Sequence, residues 1–150
     1  ILIDLKMGLI RTGMTSLTPN DDREMTAFLW PIVREMIKTA IENKQNLIVE
    51  GCYIPFNWQD DFSEVYLKDI KFICLCFSEK YLKSHFLSIK AHANYIEKRV
   101  NDLGMPYESL KRENEYFHKG CIDNNLNVVV IESEFNKTLT SVVDTFGRIK

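Results

Sequence analysis

Three stretches of the chain are almost continuously apolar: NLIVE (46–50), IKFICLCF (70–77) and NVVVI (127–131). Short unbroken runs of this kind, rich in Val, Ile and Leu, predict strands of a parallel sheet covered on both faces. Ile1 to Ile3 read as the tail of a further buried strand, closed by Asp4. Between the runs the period changes. Ile32, Val33, Met36, Ile37, Ala40 and Ile41 recur at helical spacing and form one stripe. Thr18 to Asn20, followed by Asp21 and Asp22, supply the caps and acids of a helix start. Pro31 either kinks that helix or opens a second one, and Asn43 to Asn46 end it.

Pro55 to Asp61 read as a loop containing Trp58, and Phe62 to Leu67 as a short helix. Ser78 is placed to cap a helix beginning EKYLKSHF, and Tyr107 to Asp123 form a long helix. Asn124 and Asn125 turn the chain into NVVVI. A last amphipathic helix carries Leu139, Val142, Val143 and Phe146 on one face. Strands alternating with helices predict an α/β fold with a parallel sheet.

The 150 residues suit one domain, 1–150, with a polar and basic insertion at about 84–106 that is longer than a simple crossover. Hydrophobic residues make up 45% and charged residues 27%, an ordinary globular balance. A net charge of −2 offers no basic field for nucleic acid or an acidic membrane surface. No apolar run approaches the roughly 18 residues of a membrane span. Cys52, Cys74, Cys76 and Cys121 show neither zinc spacing nor CxxC, so buried thiols in a reducing cytoplasm are expected. Cys74 and Cys76, two apart, face the same side of a strand. The chain opens ILIDLKMGLI, without an initiator Met, and reads as though it begins inside a strand.

Candidate chemistry gathers at the strand ends. Asp4 and Glu50 stand where strands release the chain, the position at which open α/β sheets bind ligands. Two carboxylates there can hold a Mg²⁺–water shell or take a proton from a substrate hydroxyl; equally, they can be two solvated acids. Lys6 and Arg11 follow Asp4 and suit an anionic substrate that also bears a hydroxyl. In the insertion and the helix after it, Lys90, Lys98, Arg99, Lys111 and Arg112 can balance phosphoryl charge, although Glu97, Glu108, Glu113 and Glu115 are interleaved with them. His85, His92 and His118 have no metal spacing with one another. Cys52, beside Gly51, has no evident local base.

IDLKMGLIR (3–11), LWPIVREMI (29–37), NLIVEGCYIP (46–55) and CFSEKYL (76–82) occur in this order. Together they resemble a group of bacterial P-loop small-molecule kinases, adenylate kinase-like or 2-phosphoglycerate kinase-like and distantly zeta toxin-like. The resemblance runs over nearly the whole chain. IDLKMGLIR and LIVEGCYIP are its most specific parts, and the insertion matches loosely.

The resemblance implies a three-layer α/β/α sandwich, ATP and Mg²⁺ as cofactors, and a small hydroxyl- or phosphate-bearing acceptor in a cytoplasmic enzyme. It makes Asp4, Glu50 and Arg99 catalytic. Lys6, Arg11, Gly51 and Tyr53 would line the acceptor side, and Arg99 and Arg112 would meet nucleotide phosphates from a lid. The chain nowhere contains G-x-x-x-x-G-K-[ST], the loop that holds those phosphates. The family pattern therefore leads to the expectation of a missing strand–loop–helix unit of roughly thirty residues ahead of Asp4. That strand would lie between NLIVE and IKFICLCF, so these two are expected parallel to NVVVI, unpaired with each other, and separated by a slot. The rival reading is a non-catalytic binding module on a kinase-derived scaffold.

Overall fold

The computed structural model describes residues 2–18, 21–92 and 104–146, without the side chains of residues 2–4, 22, 145 and 146. The fold is mixed α/β, mostly helical, with a small two-stranded parallel sheet. Its contacts fall into two compact units, Ile1–Ile70 and Lys71–Lys150. Among the described residues no helix is long and apolar enough to cross a membrane.

The first unit opens with helix α1, Leu2–Arg11, where a strand tail ending at Asp4 was expected. The ILI triplet hides the helical spacing of Leu5 and Leu9, which pack with Ile10 and Leu17 against a core of Met25, Leu29 and Tyr53. Gly13 ends α1 with φ 71°. Its N–H donates to the Ile10 carbonyl at 3.1 Å, and that of Met14 to Leu9 at 3.0 Å, the paired bonds of a Schellman cap. Helix α2, Asp22–Glu42, runs unbroken through Pro31. It ends in the same type of cap, with Lys44 in the left-handed region at φ 55°.

A second apolar cluster of this unit surrounds a 3₁₀ turn, Trp58–Asp61, and the one-turn helix α3, Glu64–Leu67. Phe62 meets Trp30, Trp58 and Tyr66 edge-on, with ring centroids 6.1, 6.0 and 6.4 Å away. Asp61 ties this turn to α2: it accepts from Trp30 Nε1 at 2.6 Å and from Arg34 at 3.2 Å. The edge-on contacts contribute about 0.5–1.5 kcal/mol each beyond burial.

NLIVE, expected as a strand, carries no strand pairing. Its burial alternates, with Leu47 and Val49 half-buried while Ile48 is 68% exposed and Glu50 is exposed. An apolar run becomes a strand only where neighbouring backbone supplies a ladder, and period-2 burial alone does not provide one. The expected slot between two strands is therefore not a feature of the described sheet.

In the second unit, β1 (Cys74–Phe77) pairs in parallel with β2 (Val128–Ile131), Cys74 opposite Val128 and Phe77 opposite Ile131. IKFICLCF and NVVVI thus run parallel, as expected, and are also direct neighbours, though the regular strands are shorter than the apolar runs. Helix α4, Glu79–His92, starts where Ser78 Oγ accepts the Tyr81 N–H at 3.1 Å, the expected cap. Helix α5, Tyr107–Asp123, packs on β1, and its bounds match the expected helix. Asn125 (φ 55°) turns the chain into β2, and α6, Phe135–Phe146, follows. Buried Cys76, Leu82, Cys121 and Ile131 form the centre of this unit.

Candidate functional site

Of the residues expected to face an acceptor, Lys6 and Tyr53 are brought together. They lie 47 positions apart, and Lys6 Nζ donates to the Tyr53 hydroxyl at 3.0 Å. The same nitrogen is 5.0 Å from the ring centroid. A nitrogen so placed lies beyond the hydroxyl rather than over the ring face, so the hydrogen bond dominates over cation–π attraction. Tyr53 is 3% exposed and belongs to the core of Met25 and Leu29, which fixes its hydroxyl. Lys6 is half-buried on α1. An ammonium has three donors, and one of them here is directed by an immobile phenol.

Arg11 does not join them by helical geometry. Five positions along α1 from Lys6, at about 100° per residue, it lies on a different face. It is exposed in the last turn, where a cation favours the helix dipole. Asp4 lies inside α1 rather than at a strand end, and its side chain is outside the described residues. Glu50 is exposed and follows irregular chain rather than a strand, which corrects its expected place at a sheet crevice. Gly51, directly after it, has φ 142°, a conformation that side chains rarely adopt. The acid–glycine pair therefore marks a sharp backbone turn two residues before Tyr53.

Arg99 and the centre of the expected lid, residues 93–103, lie outside the described residues. The first part of that insertion is ordinary α4. Arg112 is exposed and donates to Ser109 Oγ on its own helix at 3.3 Å. Lys111 pairs with Glu79 at 2.8 Å, an ion pair that raises its pKa and links α5 to α4. Lys90 lies 5.5 Å from the Phe86 ring centroid. His85 stacks on Tyr81 at 4.0 Å.

For Mg²⁺, no group of three His, Cys, Asp or Glu among the described residues is arranged to hold a metal ion. Glu50 alone offers one exposed carboxylate, which fits at most a water-mediated contact to an ion held chiefly by substrate phosphates. No described loop has the Walker A sequence, so the nucleotide phosphates find no matching cradle in these residues. A wide, open depression is lined by Lys137, Thr140, Ser141 and Asp144, all on one face of α6, and contains none of the expected residues.

Two arrangements were not expected. Asn114 of α5 accepts the Phe77 N–H at 2.7 Å and donates to the Phe77 carbonyl at 2.9 Å. Cys74 N donates to the Asn127 carbonyl just before β2 and Ser78 N to that of Ile131, so the polar groups of Phe77 point to the opposite edge of β1. There Asn114 stands in for a neighbouring strand. Its signal in the sequence is a polar residue inside the stripe Tyr107, Leu110, Asn114, Phe117 and Cys121. The other is the close approach of two thiols: Cys74 and Cys76 Sγ lie 3.6 Å apart on one face of β1.

No family model, no curated protein and no solved structure matches the chain.

Proposed function

We propose that this chain supplies the acceptor-binding part of an ATP-dependent phosphotransferase, a P-loop kinase acting on a small hydroxyl- or phosphate-bearing acceptor. One observation carries the reading: the Lys6–Tyr53 pair, a cation held at 3.0 Å by a phenol that the core immobilises. A fixed ammonium beside a hydroxyl binds an anionic acceptor and orients it without reorganisation on binding. Glu50, exposed on the turn made by Gly51, adds a carboxylate that can hydrogen-bond an acceptor hydroxyl. ATP and Mg²⁺ would supply the phosphoryl group and neutralise its charge. Lys6, Tyr53 and Glu50 are assigned to the acceptor.

Asn114 favours a second reading, a non-catalytic binding module. By satisfying Phe77 at the outer edge of β1, it lets the two-stranded sheet end there without a further strand.

The deciding experiment is phosphotransfer from labelled ATP by the protein expressed from its full reading frame. The acceptors are a panel of hydroxy acids, phosphorylated hydroxy acids and nucleoside monophosphates. Transfer to one class, diminished by Glu50→Gln, supports the kinase. Acceptor binding without any transfer supports the module, and neither binding nor transfer overturns both.

A further inference from the structure

We draw no further inference here: the strongest candidate, the surface patch along the outer edge of β2, where the backbone polar groups of Val128 and Val130 point away from β1 and Val130 is 36% exposed, is an unpartnered edge among the described residues, and nothing in the structure shows what covers it.

Discussion

Lys6 and Tyr53 meet through a 3.0 Å hydrogen bond from the ammonium to the phenol, across 47 positions of chain. Tyr53 serves two purposes: its ring fills the core beside Met25 and Leu29, and its hydroxyl holds Lys6. The purposes separate by mutation. Tyr53→Ala removes a buried aromatic and should cost about 3–5 kcal/mol in urea unfolding. Tyr53→Phe keeps the packing and should cost only about 0.5–1.5 kcal/mol, the net worth of one hydrogen bond. Equal losses in the two variants would show that the hydroxyl, not the ring, secures the site.

The helix ends give a stabilising change. Lys44 adopts φ 55° at the C-terminal cap of α2, where a side chain is strained and glycine is not. Lys44→Gly should therefore raise stability by about 1 kcal/mol, read as an increase in Tm. Gly51→Ala should do the reverse, since φ 142° tolerates a side chain poorly, with a loss of about 1–3 kcal/mol. A lower Tm for Lys44→Gly would contradict the left-handed cap.

Asn114 closes the edge of β1 through both polar groups of Phe77. Asn114→Leu keeps the side-chain volume but leaves an N–H and a carbonyl half-buried and unpaired, costing about 1–3 kcal/mol. Amide hydrogen exchange at Phe77 should accelerate along with that loss. Unchanged protection of that amide would remove Asn114 from the sheet.

The Asp21 carboxylate accepts the Thr18 N–H at 2.7 Å and the Thr18 hydroxyl at 2.8 Å, and these bonds hold its pKa below the usual 3.8. A depressed folded-state pKa adds stability that is fully present above the unfolded value and is lost as pH falls through the folded one. The Tm gap between wild type and Asp21→Ala should be full near about pH 6 and shrink below about pH 4. A gap of the same size at both ends would place the effect elsewhere than in the ionised carboxylate.

How much of this was legible in the sequence depends on the range of the interaction that decides each element. Ser78, the α5 bounds and the Asn125 turn rest on local capping and periodicity, and they were readable. That β1 and β2 are parallel strands was readable because both runs are short and apolar; that they pair with each other was not. NLIVE has the same composition, but its state depends on whether a partner strand is supplied, which composition does not encode. The opening ILI reads as strand because three residues cannot show a helical period; Leu5, Leu9 and the Gly13 cap decide it. Lys6 and Tyr53 were both singled out, but their contact was not. Of the thiols expected to be buried, Cys76 and Cys121 are each 1% exposed, whereas Cys52 is exposed.

The most direct test of the acceptor role of Lys6 is steady-state phosphotransfer by wild type and Lys6→Met, both expressed from the full reading frame. The account predicts that Lys6→Met lowers kcat/KM for the acceptor by about 10²–10³-fold, the usual loss of one preorganised charged donor, and leaves KM for ATP unchanged. An acceptor kcat/KM equal to that of wild type, or a loss confined to ATP, would contradict it.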